Sequence, residues 1–565
     1  MVREETPVGE PVHNIATLLV ARLGEPERVL YRQHVDGAWR DFTAAELATL
    51  VSCWQDAFGR AGLVGGDRVA LALKNGVSWV AIDLAALASG LVVVPLYADD
   101  NAENQAWCAK LVEARLVVVE NARMFRALVE AGVSPQSMLV LRPDEAAEAH
   151  SVERFLAGGE ARPFSVAGVD PNALATICFT SGTGGRPKGV MLTHGNILAN
   201  VEGCRAVNMA RADDVFLSFL PLSHMFERTG GYYLPLSLGA KVVYARSIAQ
   251  LADDLAEQKP TAMFAVPRVF EKFGGRIRAA LSDHPLKQAL FDLCVSSGWR
   301  LARGKPTVVD RVVAPLLRRL VAAPILARLG GRLRIAVAGG AALDPELARM
   351  FNGLGLPLLQ GYGMTEAAPV ISVNRLDDNE LGCVGPALPN VEVRLSRDQE
   401  LLVRGPNVMQ GYWRDKVATA RALDGAGWLH TGDLAEIRDG HIFIRGRLKD
   451  ILVLSNGEKL PPQDVELAIL GDDAFEQIML IGEGRPFLSL IAVSKEKDEK
   501  ALVRRANERL KSFPRYVRVR RAVVSDEPWT IDNGLVTPTL KVRRERVISR
   551  YKDDIDRIYA AGVGD

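Results

Sequence analysis

From about residue 10 to 440, short β-branched apolar runs alternate with segments of helical spacing. Residues 69–73, 116–119, 175–179 and 333–338 are mostly apolar runs of strand length, the pattern of strands buried on both faces. Residues 248–258 and 345–352 repeat their apolar positions at helical intervals between such runs. This alternation predicts parallel sheets with helices packed on both faces. Between Gly382 and Tyr412 the texture shifts to short strands and turns, at 391–395 and 400–404, which predicts a small β subdomain. Past Gly446 the chain has a β–α texture of its own, with strands at 477–481 and 488–493 and a helix at 499–511. The predicted division is a large domain over residues 1–446 and a small one over 447–565.

One stretch, residues 79–98, is apolar enough to imitate a membrane span. Asp83, Ser89, Gly90 and Pro95 interrupt it, so it reads better as a buried helix over 79–88, a glycine turn and an inner strand at 91–94. Of the 565 residues 48% are hydrophobic and 24% charged, an ordinary globular composition that excludes the disordered classes. At roughly 150 residues per domain the chain is too long for one compact core. Lys and Arg total 69 against 68 Asp and Glu, so no overall field draws the chain to nucleic acid. The six cysteines, Cys53, Cys108, Cys178, Cys204, Cys294 and Cys383, include no CxxC pair and no zinc spacing. They predict scattered reduced core thiols. Polar sequence after Met1 predicts no signal peptide, no transmembrane anchor and a cytoplasmic location, peripheral contact with the inner face of the membrane being the one membrane association kept in view.

The sharpest chemical signal follows the strand ending at Phe179. Residues 180–189 hold four glycines, three hydroxyls and Lys188. Glycine lets a backbone N–H approach an anion closely, the hydroxyls of Thr180, Ser181 and Thr183 add donors, and Lys188 adds a point charge. It is not the P-loop motif, because Pro187 stands where that motif needs Gly and Gly189 replaces its Ser/Thr. Such a loop is either an anion cradle or a flexible turn.

This decamer, followed by Leu192-Thr193-His194-Gly195-Asn196, resembles the signature of the adenylate-forming superfamily, which includes acyl-CoA synthetases, luciferases and peptide-synthetase adenylation domains. Further motifs resemble that superfamily in the same order along nearly the whole chain. These are residues 221–228 (Pro-Leu-Ser-His-Met-Phe-Glu-Arg), Gly339-Gly340-Ala341, residues 360–366 (Gln-Gly-Tyr-Gly-Met-Thr-Glu), residues 428–433 (Trp-Leu-His-Thr-Gly-Asp) and residues 447–450 (Arg-Leu-Lys-Asp). The resemblance implies an α/β fold: a large N-terminal domain of two parallel-sheet α/β subdomains plus a small β subdomain, then a small mobile α+β C-terminal domain.

It also implies a set of roles. The loop from Thr180 through Ser181, Gly182, Thr183 and Gly184 to Lys188 would hold the β- and γ-phosphates of ATP. Glu366 would ligate Mg²⁺ with help from the Thr180 hydroxyl, and Thr365 would donate to the α-phosphate. Tyr362 would offer a flat face to adenine, with Gly339, Gly340, Ala341, Gln360, Gly361 and Gly363 around it. Asp433 would accept the ribose hydroxyls and Arg447 would add a donor there. His224, which in isolation would read as a satisfied core histidine, would lie beside the acyl carboxylate, and Gly230-Gly231 would leave room for a tunnel. Lys541, in the segment Thr537-Pro538-Thr539-Leu540-Lys541, would reach the bridging oxygens during adenylation; here Leu540 replaces the usual Gly, and an exposed basic strand is the alternative. Lys449 would mark the hinge, and Gly457 would let the backbone approach the CoA thiol, although Asn456-Gly457 also reads as a hairpin turn.

Residues 224–229, 456–458 and 537–541 are similar to the long-chain branch of the family, which points to a fatty acid, ATP and CoA as partners. Residues 300–334 carry nine basic side chains against one acid, Asp310, with apolar stripes at 312–314 and 316–317. That segment is either a basic amphipathic surface for an anionic membrane or a solvated helix pair with a buried stripe. Residues 504–521 form a second basic run, suited to CoA phosphates or to none in particular. Three functions remain open from sequence: a fatty acyl-CoA synthetase, an acyl-AMP ligase serving a carrier protein, or a non-catalytic acyl- or nucleotide-binding transport partner.

Overall fold

The computed structural model describes residues 14–560 apart from 160–161, 181–186, 283, 456–457, 512, 515–516, 526, 531–532 and 538–541. Strands β1 (Val29–Val35) and β2 (Ala38–Thr43) form a hairpin whose tight turn uses positive φ at Asp36 and Gly37. Helix α1 (Ala44–Arg60) follows, started by a capping box of Thr43 and Glu46. Next come four parallel strands, β3 (Arg68–Ala72), β4 (Val92–Pro95), β5 (Leu116–Asn121) and β6 (Met138–Arg142). The stretch that imitates a membrane span is the almost wholly buried helix α2 (Val77–Ala88), a turn with φ +72° at Gly90, and the inner strand β4. Among the described residues no helix is long and apolar enough to cross a membrane.

Strand β7 (Leu174–Thr180) lies parallel to β4 and then reverses into β8 (Lys188–Thr193), with Thr180 opposite Lys188. Helix α3 (His194–Ala206) starts on a Thr193/Asn196 capping box, so part of the residue 192–196 motif is a helix start rather than a ligand contact. His194 is buried and its Nδ1 accepts from Ile15 N at 3.1 Å; burial drops its pKa to about 4, which keeps it neutral. A second sheet is built by parallel strands β9 (Val215–Ser218), β10 (Lys241–Tyr244), β11 (Ala262–Ala265), β12 (Ile335–Ala338) and β13 (Leu358–Gly363), with β1 parallel to β10. Antiparallel β14 (Val370–Val373) and β2 close its edges. One apolar cluster takes in Val69 and Val93 of the first sheet, Trp79 and Val80 of α2, and Phe216 and Val242 of the second, so the two α/β subdomains share a core.

Strands β15 (Glu392–Leu395), β16 (Glu400–Arg404), β18 (Leu429–Arg438) and β19 (His441–Arg447) make an antiparallel four-stranded sheet, while β17 (Gly411–Tyr412) instead pairs with β8 of the first sheet. The small domain has a hairpin of β20 (Leu452–Val453) and β21 (Lys459–Leu460) and a mixed sheet of β22 (Gln477–Ile481), β23 (Leu488–Val493) and β24 (Val519–Ser525). Val465, Leu480, Leu490 and Leu502 anchor its separate core.

Both sheets are parallel over most of their width, as expected, with antiparallel additions: β14 and β2 at the two edges of the second sheet, β8 and β17 at one side of the first, whose other edge strand, β6, is parallel. Two expectations need correction. The β subdomain does not stop near Tyr412 but runs to Arg447, because β18 and β19 complete its sheet. The cysteines are all free, but Cys53 is exposed rather than a core thiol.

Candidate active site

The carboxyl ends of parallel strands converge on one side of each sheet, where open α/β folds bind ligands. Thr180 ends β7, Gly339 follows β12, and Tyr362 lies at the end of β13. A cavity of about 3020 Å³ lies there, shared by both domains. The described residues that the sequence nominated for nucleotide, metal, carboxylate and hinge roles line it: Thr180, Lys188, His224, Gly339, Gly340, Ala341, Gln360, Gly361, Tyr362, Gly363, Thr365, Glu366, Asp433, Arg447 and Lys449. Ser181, Gly182, Thr183, Gly184, Gly457 and Lys541 lie outside the described residues. Val536 and Thr537 before Lys541, and Val542 and Arg543 after it, line the same cavity, and Val536 pairs antiparallel with Val542.

On one wall, Lys188 extends from the first residue of β8 with its Nζ 5.0 Å from the centre of the Tyr412 ring. The Tyr412 hydroxyl donates to Glu366 Oε1 at 2.8 Å. Burial first and the Glu366 carboxylate second push the Tyr412 phenol well above its ordinary range, so it stays a donor and Glu366 stays the acceptor. Glu366 is held in a short helical turn, Thr365–Ala367, and its N-terminal neighbour Thr365 faces the cavity. Sequence reading missed Tyr412, whose place depends on β17 docking against β8. A carboxylate and the Thr180 hydroxyl on one wall are hard oxygen donors that fit Mg²⁺, an ion that takes its remaining ligands from phosphate and water. Among the described residues no cluster of three or more His, Cys, Asp or Glu could hold a metal by itself.

On the opposite wall, Asp433 is buried at the start of the β18–β19 pairing. Its Oδ2 accepts from the Tyr362 hydroxyl at 2.5 Å and its Oδ1 faces Arg447 Nε at 3.2 Å. A carboxylate has about four lone-pair sites over its two oxygens, a chemistry suited to accepting from a vicinal diol. Burial and then the Asp433 charge push the Tyr362 phenol far up, which fixes it as the donor in this pair. Glu400, from β16, orients the same loop by accepting from Gly432 N at 2.9 Å and meeting His430 Nδ1 at 2.8 Å. Two glycines have steric reasons to be there: Gly340 has φ +81°, and a Cβ on Gly363 would sit 2.1 Å from the Pro369 carbonyl oxygen. Lys449 is exposed in the helical turn Leu448–Asp450 that follows β19, and Ala341 is exposed beside Gly340.

Between these walls, His224 does two things. It lines the cavity, and its Nδ1 accepts from Phe226 N at 3.2 Å to cap the turn Met225–Glu227. That bond fixes the ring so that Nε2 is the nitrogen left to carry a proton. The rest of its motif turns into the core. Arg228 is fully buried, with Asp83 of α2, Thr176 and the Tyr232 and Tyr233 hydroxyls, which also donate to Asp83, around it. Glu227 is buried too, and burial lifts its carboxyl to about 8. Of the two glycines nominated for a tunnel, Gly230 lines the cavity opposite Phe264, whereas Gly231 packs on the Glu227 carboxyl. Phe216, Phe226, Phe264, Leu234 and Tyr244 give this end of the cavity an apolar wall.

Arg228 and Asp83 bind the His224 segment to α2, and breaking a buried pair strands the remaining charge. Asp83→Ala is expected to cost about 3–5 kcal/mol of stability, read as a lowered urea midpoint; an unchanged midpoint would contradict the assignment.

The AMP-binding enzyme family matches residues 22–413, and the AMP-binding enzyme C-terminal domain matches residues 449–562. A long-chain-fatty-acid–CoA ligase of Mycobacterium bovis is 30% identical over 98% of this chain and 98% of its own. A chloroplastic long-chain-fatty-acid–[acyl-carrier-protein] ligase of Arabidopsis thaliana is 29% identical over 88% of this chain and 80% of its own. In the fold, ATP-bound MatB from Rhodopseudomonas palustris is similar with a TM-score of 0.76 at 22% identity, covering 96% of this chain and 99% of that one. The chain belongs to the AMP-binding enzyme family of adenylate-forming acid–thiol ligases.

Proposed function

We propose that the protein activates a long-chain fatty acid with ATP and transfers the acyl group to CoA. The observation that carries this reading is one continuous cavity with a polar, charged end at Lys188 and Glu366 and an aromatic, apolar end at Phe216 and Phe264. A fatty acid is itself a carboxylate on an apolar chain, so its two halves suit those two ends.

In the first half-reaction a carboxylate oxygen attacks the α-phosphorus, the bond to the bridging oxygen breaks, and pyrophosphate leaves. The protein's task is to neutralise and align two anions. Lys188 and the loop from Thr180 hold the outer phosphates, Thr365 donates at the α-phosphate, and Asp433 with Arg447 fixes the ribose while Tyr362 lies along the base. Glu366 and Thr180 would hold Mg²⁺, which neutralises phosphate charge when bound. His224 orients the acid through Nε2. Lys541 stabilises the oxygens that gain charge. In the second half-reaction the CoA sulfur attacks the acyl carbon and AMP leaves with the electron pair of the broken anhydride bond. The small domain, taken to begin at residue 447, turns about Lys449 between the two steps, and Gly457 then flanks the thiol. The fatty-acid–CoA ligase relative supports CoA as acceptor.

The Arabidopsis relative motivates a second reading, in which a carrier-protein thiol replaces CoA. ATP-dependent CoA consumption across acids from acetate to oleate separates these. Turnover rising with chain length supports the proposal; acyl transfer to a holo carrier protein with none to CoA would replace it. Chain length has its own test. A Cβ on Gly230 would lie 3.1 Å from the Phe264 ring, so Gly230→Ala should narrow the apolar end. The ratio of kcat/KM for long over medium acids is expected to fall about tenfold, and an unchanged ratio would move the acyl chain elsewhere.

A further inference from the structure

Of the large apolar side chains exposed among the described residues, most fall between Leu286 and Leu320. Helix α4 (Pro267–Leu281) lines the cavity through Phe273 and Arg276 and leads into helix α5 (Pro285–Ala302), against which packs helix α6 (Val308–Leu317). The α6 helix continues without a break into a π-type turn over Arg318–Ala322. Its inner side is buried at Leu317 and Ala322. Its outer side carries Val308, Val312, Leu316 and Leu320, exposed to 81%, 72%, 59% and 64%. A spacing of four residues stacks these along one face. On α5, Leu286, Leu290 and Leu293 share an outward face in the same way, Leu286 being 82% exposed. The stripe expected from sequence therefore exists twice, once in the core and once facing solvent.

Beside the α6 stripe the exposed charge is of one sign, whereas α5 carries both an exposed Lys287 and an exposed Asp292. Asp310, the lone acid between residues 300 and 334, is buried, caps α6 and pairs with Arg300. Arg303 pairs with Glu380 and Arg334 with Asp214. Arg311, Arg318 and Arg319 are exposed and make no ion pair among the described residues. An exposed apolar column on a helix, bordered by unneutralised arginines, fits a soft anionic surface rather than a preformed groove. A second copy of the chain would bring the same arginines face to face, a like-charge arrangement that disfavours a symmetric dimer.

We infer that the outer face of α5 and α6 docks the protein on an anionic lipid bilayer, with Val312 and Leu316 entering the interface and Arg311, Arg318 and Arg319 at the headgroups. The test is flotation of the full chain with vesicles of phosphatidylcholine, alone or mixed with an equal amount of phosphatidylglycerol. The protein should float with the mixed vesicles, stay behind with the neutral ones, and be released by high salt. Val312→Ser with Leu316→Ser should cut the bound fraction about tenfold, and Arg311→Gln with Arg319→Gln should do so with mixed vesicles at low salt. Neither pair removes a buried contact, so unchanged thermal unfolding serves as the control. Failure of the unaltered protein to float with anionic vesicles, or equal flotation of the serine variant, overturns the inference. So does a dimer in sedimentation velocity that the serine variant abolishes while no vesicle is bound, since a second copy then covers this face.

Discussion

Lys541→Ala is expected to slow acid-dependent ATP–pyrophosphate exchange about 10²–10³-fold, the range seen when one preorganised charge-stabilising donor is removed. Thioester formation from presynthesised acyl-adenylate should keep most of its rate, because the proposed turn about Lys449 would by then have withdrawn that lysine. The neighbouring structure favours this division. Val536, Thr537, Val542 and Arg543, on both sides of Lys541, line the cavity that Thr180 and Glu366 also line. Three residues on, Arg544 is occupied within the small domain: it bonds Glu466 at 2.6 Å and the Leu480 carbonyl at 2.5 Å. Arg544→Ala should therefore damage stability more than exchange. Equal loss of both half-reactions in the Lys541 variant would remove it from the adenylation step.

The second large effect is expected at Glu366. Its Oε1 already accepts from Tyr412, and the carboxylate is buried on the cavity wall. Glu366→Gln keeps the size and removes the charge that a hard divalent cation needs. Adenylation should fall about 10²–10³-fold, and the Mg²⁺ concentration for half-maximal exchange should rise about tenfold or more. A Mg²⁺ titration separates the two effects. Lower exchange with an unchanged Mg²⁺ midpoint would give Glu366 some other task.

Much of this arrangement was legible in the chain because the relevant signals are local. Runs such as residues 116–119 are apolar on both faces only if helices cover both faces, and β5 is an inner strand of its sheet. Of the run of glycines, hydroxyls and a lysine at 180–189, the structure pairs Thr180 of β7 with Lys188 of β8. What stayed hidden depends on residues distant in sequence. Tyr412 reaches Glu366 only because a two-residue strand docks on β8. Arg228 looked like part of a substrate-facing motif, yet its partner Asp83 lies 145 residues earlier in a helix that resembled a membrane span. The basic segment at 300–334 announced its charge but not its orientation, because an apolar stripe has the same spacing whether it faces the core or solvent.

The central claim is that one cavity joins a carboxylate to the α-phosphate of ATP. The most direct measurement mixes purified protein, Mg²⁺, α-labelled ATP and oleate without any thiol, then separates the labelled products. The expected result is one equivalent of acyl-AMP per protein with pyrophosphate released, and free AMP appearing only after CoA is added. Labelled ADP with inorganic phosphate, or ATP left intact with every acid tried, would contradict it.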